Sequence, residues 1–175
     1  METQRIEHPT FETVWAALQE VAERQRQTDK QLSKLGSRFG EMVEYMVMPN
    51  LIDKFGELGF VFEKAYHQAT IKDKKNNIIT EVDITLENGD KVMIVEVKSK
   101  PTAKDVKEHI KRMEKVKAHA NLHNDNRIYM GAIAGIVMND TEKTFALKNG
   151  FYVIEPSGEE FVITEPKGIY SPREW

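Results

Sequence analysis

The stretch Thr80–Lys100, TEVDITLENGDKVMIVEVKSK, alternates apolar and polar residues on both sides of an Asn-Gly pair, a pattern that fits little besides a β-hairpin. On the first limb Val82, Ile84 and Leu86 share one face, and Glu81, Asp83 and Thr85 share the other. Asn88-Gly89 supplies residues that tolerate the positive φ of a tight turn. On the second limb Met93, Val95 and Val97 lie on one face. Val92, Ile94, Glu96 and Lys98 lie on the opposite one, so charge is expected only where that face leaves the core. The hairpin thereby brings Asp83, Glu96 and Lys98 together on two adjacent strands, which is the outline of a metal site.

Cleaving a phosphodiester needs an acidified water, neutralised charge on a phosphoryl oxygen and a protonated leaving oxygen. Mg²⁺ (or Mn²⁺) supplies the first two and prefers a few carboxylates with several waters, so Asp83 and Glu96 make a reasonable half-shell. Lys98 projects to the same face and can orient the water or stabilise transition-state charge. To act as a base it needs a lowered pKa, which a metal ion favours and carboxylates oppose. The competing reading is ordinary sheet decoration, in which a cross-strand Asp–Lys pair contributes about 0.2–1 kcal/mol.

Around the hairpin the chain reads as an α/β protein. Phe60–Thr70 forms a first strand and Ile71–Asn77 a loop carrying Lys72, Lys74 and Lys75. Thr102 caps a helix to about Leu122, whose apolar side is Val106, Ile110, Met113, Val116 and Ala120; Lys104, Lys107, Lys111 and Lys115 line the other. Arg127–Met138 reads as a buried strand whose glycines and alanines let a helix pack close. Asp140 caps a short helix ended by Asn149-Gly150, then Phe151–Ile154 and Phe161–Thr164 are two short strands. Glu165–Trp175 is an irregular tail in which Tyr170 and Trp175 dock. A strand–helix–strand unit after an antiparallel hairpin implies a mixed sheet flanked by helices.

Upstream, Phe11, Val14, Leu18, Val21, Gln25, Thr28, Leu32, Leu35, Phe39, Met42 and Met46 alternate steps of three and four without a slip. Five heptads of this spacing predict a coiled-coil helix on the order of 50 Å long, with Gln25 and Thr28 as polar interruptions that fix register. The alternative is a lone amphipathic helix folded back on its own domain. Past Met46 the stripe changes face to Val47, Met48, Leu51 and Phe55, which should meet the sheet; Pro49 kinks or restarts the helix and Gly59 ends it. Trp15, Met42, Met46 and Met48 are read as packing residues. Residues 1–39 are thus expected to form an oligomerisation arm, giving a homodimer, and residues 40–175 the α/β domain.

Asp83 followed by Glu96-Val97-Lys98 resembles the motif of the PD-(D/E)XK nuclease superfamily, with Val82 in place of its proline. The order of elements over roughly residues 40–155 is similar to its restriction-endonuclease-like fold. The resemblance extends to coiled-coil-bearing bacterial and archaeal members, and to the branch of archaeal Holliday-junction resolvases. There a first-helix glutamate four residues after a glycine completes the metal site, a spacing that Gly40 and Glu44 match, with Glu41 as second choice. The helix EHIKRMEKVK lacks the Gln and Tyr of the RecB-like branch. The resemblance implies a metal-dependent DNA endonuclease with Asp83, Glu96 and Glu44 as ligands and Lys98 catalytic. Lys72, Lys74, Lys75, Lys100, Lys104, Lys107 and Lys111 would contact DNA phosphates. With Asp105, Glu108 and Glu114 interspersed, the helix lysines read equally well as a solvated face. A non-catalytic interaction or DNA-binding module on the same fold is the alternative.

Composition sets outer limits. A formal charge of −3 and a pI near 6.0 argue against binding nucleic acid by bulk charge, so any basic surface must be local. The absence of cysteine excludes disulfides, thiolate zinc sites and cysteine nucleophiles. No apolar run approaches the roughly 18–20 residues of a membrane span, and METQRIEHPT is no signal peptide, so a soluble, cytoplasmic protein is expected. His119 and His123 stand four apart on a helix without an evident third ligand, and are read as surface histidines.

Overall fold

The structure, a computed structural model, describes residues 50–157 and 160–175 together with five exposed helical positions upstream, Glu20, Glu23, Arg24, Gln27 and Thr28. The chain divides into two units, Met1–Arg38 and Phe39–Trp175, the second carrying the sheet. The remainder of the heptad stretch, with Trp15, Met42, Met46, Met48, Glu41 and Glu44, lies outside the described residues.

Among the described residues six strands form one mixed sheet in chain order: β1 (Lys64–Lys72), β2 (Ile78–Glu87), β3 (Lys91–Lys98), β4 (Ile128–Gly135), β5 (Tyr152–Ser157) and β6 (Glu160–Thr164). Pairing is antiparallel for β1–β2, β2–β3 and β5–β6, and parallel for β3–β4 and β4–β5. Parallel neighbours need crossovers, which α2 (Ala103–Leu122) and α3 (Asp140–Lys148) provide; the helical residues 50–57 (α1) precede β1. The mixed α/β sheet and the order of its elements are those expected from the sequence.

Local chemistry explains where the elements stop. Thr102 and Asp105 make a reciprocal cap at the start of α2: Asp105 N donates to Thr102 Oγ1 at 3.3 Å, and Thr102 N to Asp105 Oδ2 at 2.8 Å. Residue 60 is not yet strand, because Phe60 N donates to Phe55 O (3.0 Å) and Gly59 N to Gly56 O (2.9 Å), closing α1 with Gly59 at φ +87°. β1 therefore begins at Lys64 and not at Phe60. At α3 the N-cap position is Asn139, with Asp140 inside the first turn. The Asn88-Gly89 turn forms without a positive φ at either residue. Asn88 Oδ1 instead accepts from Asp90 N (2.9 Å) and Lys91 N (2.8 Å), an Asx-type turn in which the side chain replaces the left-handed backbone.

Each face of the sheet has its own core. On one, Leu51 and Phe55 of α1 meet Met93, Val95 and Val97 of β3, Met130 and Ala132 of β4, and Tyr152 of β5. On the other, Val106, Met113, Val116 and Ala120 of α2 pack on Val92 and Ile94 of β3 and Ile133 of β4, with Phe151 and Val153 beside them. The inward stripe of α2 includes His109, fully buried, where the sequence reading placed Ile110; Ile110 is only partly buried. The His109 ring stacks on Phe151 (centroids 4.8 Å apart) over Gly131, where a Cβ would overlap the Phe151 ring. The tail is pinned at its end: Trp175 and Tyr129 exchange backbone hydrogen bonds (2.9 and 3.3 Å), and the indole stacks on Phe151 at 5.5 Å. At the same end of β4, beside the last residue of β2, Arg127 binds Asp125 (2.7 Å) and Glu87 (3.0 Å), holding the Asp125 carboxyl below the usual carboxylate range.

His109 makes this core acid-sensitive. Burial first, then the nearby Arg112 charge, push its pKa down to about 3; the carbonyls of Ile94 and Ala132 favour a ring proton, yet neither ring nitrogen makes a regular hydrogen bond among the described residues. The unfolded chain takes up this proton near pH 6.5 and the folded one only near 3. Its contribution is therefore complete above pH 6.5 and is lost as pH falls toward 3, at about 1.4 kcal/mol per pH unit. His109→Phe, which keeps a ring against Phe151, should lose less stability than wild type between pH 6.5 and 4.5 in urea unfolding. Parallel losses in the two proteins would contradict this.

Candidate functional site

The site forms where the β2–β3 ladder ends. The two strands pair from Glu87↔Val92 to Ile84↔Val95, which leaves Asp83 and Glu96 as the next residues beyond the last pair. Asp83 Oδ2 accepts a 2.8 Å hydrogen bond from Val97 N, so a side chain stands in for the missing ladder bond. On its other side Asp83 faces Gln68 of β1, which has a left-handed φ of 50°. The register continues through this point (His67↔Ile84, Ala69↔Val82) while the pleat inverts. Ile84 and Leu86 join the α1-side core, whereas Val82 joins the α2-side core with Ala69 and Ile71. The single apolar face expected for Val82, Ile84 and Leu86 is thus broken at Asp83. A cleft of about 310 Å³ beside it is lined by Gln68, Ala69, Thr70, Glu81, Val82 and Asp83.

Glu96 is 3% exposed, so charge begins inside the core, contrary to the expectation from strand alternation. It is tolerated there because α2 covers it and brings a counter-charge: Arg112 Nη1 donates to Glu96 Oε2, and Lys98 Nζ lies 2.8 Å from Oε1. Burial raises the Glu96 pKa, the Asp83 charge pushes the same way, and Arg112 and Lys98 only partly offset both. Burial alone would lower the Lys98 pKa, but the bond to Glu96 and the charges of Glu96 and Asp83 raise it overall. In this arrangement Lys98 is a held ammonium, suited to stabilising negative charge or orienting water and unsuited to accepting a proton.

The structure therefore joins Asp83, Glu96 and Lys98 as read from the sequence and adds Arg112. In the sequence Arg112 is one of many basic residues in EHIKRMEKVK. The signal was its spacing, three after His109 and four before Val116, on the inward stripe.

The other basic residues are dispersed. Lys74 and Lys75 sit in a turn ordered by Asp73, whose Oδ1 accepts from Lys75 N and Asn77 N at 2.8 Å. Lys72 pairs with Ile78, five residues from Asp83 along β2, about 17 Å at the usual strand rise. Lys100, Lys104, Lys107 and Lys111 are exposed on the β3–α2 crossover and along α2, Lys104 lying 3.6 Å from Glu108. The His119 and His123 rings are 4.2 Å apart, and His123 Nδ1 hydrogen-bonds to the His119 carbonyl (2.8 Å). Among the described residues no three His, Cys, Asp or Glu side chains form a metal-holding group; Glu44 and Glu41 lie outside them. As donors, Asp83 and Glu96 suit a hard divalent ion, with Glu96 available once one of its two cations lets go.

Asp83 has two roles that substitution separates. Asp83→Asn keeps an acceptor for Val97 N and removes repulsion of Glu96, so its stability should equal or exceed wild type. Asp83→Ala orphans the Val97 N–H and should lose about 1–3 kcal/mol. Urea unfolding at pH 7 measures both, and equal destabilisation by the two variants would refute the assignment.

No protein-family model matches the chain, and the searches of curated proteins and of solved structures likewise returned no match.

Proposed function

We propose that the protein is a metal-dependent DNA endonuclease of restriction-endonuclease-like fold, in which Asp83 and Glu96 bind Mg²⁺ or Mn²⁺ and Lys98 assists hydrolysis. The observation that carries the reading is the convergence of two carboxylates and an ammonium group at the open end of β2 and β3, beside a polar cleft. The carboxylates would hold the ion, which supplies charge neutralisation and water activation when bound. Lys98, held as a cation, would meet the added negative charge of the transition state. Glu44 is proposed as a further ligand, with Glu41 as second choice. The exposed lysines Lys100, Lys104, Lys107 and Lys111 would track the DNA backbone, with Lys72, Lys74 and Lys75 at the hairpin tip. A coiled-coil arm over residues 1–39 would pair two such domains as a homodimer, giving one site per strand. No helix among the described residues is long and apolar enough to cross a membrane.

One observation favours a second reading, a non-catalytic DNA-binding or interaction module. Both Glu96 oxygens are already engaged, by Arg112 and Lys98, so the cluster is also a self-contained ion-pair network.

Purified protein with Mg²⁺ or Mn²⁺ should cut at least one of linear, branched or single-stranded DNA, and chelation should stop it. Lys98→Ala should reduce the rate by on the order of a hundredfold or more. No cleavage of any substrate, or full activity in Lys98→Ala, rejects the nuclease reading. The second reading predicts instead that divalent ions leave thermal stability unchanged while salt-sensitive DNA binding or protein association persists.

A further inference from the structure

We propose that Arg112 is the resident counter-cation of the candidate metal site, seated on Glu96 when no divalent ion is bound and displaced when one arrives. The inference rests on the metal-dependent reading and says how such a site would load. Asp83 and Glu96 carry two negative charges, and Lys98 and Arg112 two positive ones. A divalent ion added to that neutral set leaves an excess of two positive charges unless a cation moves away.

The geometry selects Arg112 as the one that moves. It reaches Glu96 from α2 through a single nitrogen, Nη1, where a guanidinium can grip a carboxylate with two parallel bonds. Its Nε is buried without a hydrogen-bond partner, and no second carboxylate pairs with Arg112 among the described residues. Leaving Glu96 therefore breaks one bond and frees an Nε that the present pose does not satisfy. The side chain keeps 23% of its surface open, an outward path that a long, flexible stem can follow. Lys98 is the more open of the two cations, at 41%, but it stands two residues from Glu96 on the same strand and has no buried donor left unsatisfied in its present pose, so leaving would relieve nothing. Displacement also sends positive charge toward solvent, the side from which an anionic phosphodiester would approach.

Calorimetric titration with Mn²⁺ at pH 8 reads the competition directly. Arg112→Gln removes a positive charge beside the ion and should bind Mn²⁺ on the order of tenfold more tightly than wild type. Arg112→Lys keeps the charge and should bind close to wild type, and Glu96→Gln should lose binding. In wild type labelled with ¹⁵N-arginine, the Arg112 Nε–H signal, identified by its absence in Arg112→Lys, should shift as Mg²⁺ saturates. That second readout stands even where Arg112→Gln does not fold. Unchanged or weaker Mn²⁺ binding by Arg112→Gln, or an unmoved Nε–H signal while Mg²⁺ binds, overturns the inference. If wild type nonetheless cuts DNA, the nuclease reading survives that failure; a wild type that binds no ion and cuts no DNA overturns both.

Discussion

A carboxylate with 3% of its surface exposed is costly to bury, and Glu96 is placed in mid-sheet at that exposure. Leaving such a charge without partners costs several kcal/mol, so the structure must deliver cations to both oxygens. Lys98 does so along the strand and Arg112 from the covering helix. This requirement ties together parts of the chain distant in sequence. α2 must cross β3 with Arg112 facing inward, and His109, one turn earlier on the same stripe, must then be buried in neutral form. Gly131 completes the arrangement by admitting Phe151 beneath the His109 ring.

The second constraint is the irregularity at Gln68 and Asp83. A regular β2–β3 ladder would pair Asp83 with Glu96 and close the space between them. Instead the ladder stops at Ile84↔Val95, Asp83 bonds the Val97 amide, and the pleat of β1 and β2 inverts across the left-handed Gln68. Backbone irregularity of this kind is concentrated at functional sites because a regular sheet offers no opening there. Here it creates the cleft beside Asp83 and leaves one carboxylate buried beside another that is partly open. Burial first, and then the Asp83 charge, raise the Glu96 pKa, so its ionised form depends on the cations seated beside it.

Much of this was legible in the residues. Two-residue alternation in β2 and β3 located the hairpin, and side-chain parity on β3 placed Glu96 and Lys98 together. The Thr102 cap, the Gly59 and Gly150 helix ends and the docking of Trp175 also followed from residue type. What escaped depended on tertiary context. Alternation assumes an unbroken pleat, so it could not foresee Val82 moving to the opposite core. Asn88-Gly89 suggested a left-handed turn, and the Asn88 side chain provided another solution. Arg112 and His109 are polar residues at the helical spacing of the inward stripe; the buried Glu96 charge accounts for the placement of Arg112, and stacking on Phe151 for that of His109.

The cluster is proposed to be a metal site held in a cation-occupied resting state, with Arg112 and Lys98 on the two Glu96 oxygens. The most direct measurement is a crystal structure grown with Mn²⁺, with anomalous difference density collected at the manganese edge. Such a site predicts a peak in contact with both Asp83 and Glu96, with Arg112 swung away from Glu96. No peak there, with Arg112 and Lys98 still seated on the two Glu96 oxygens, would contradict it.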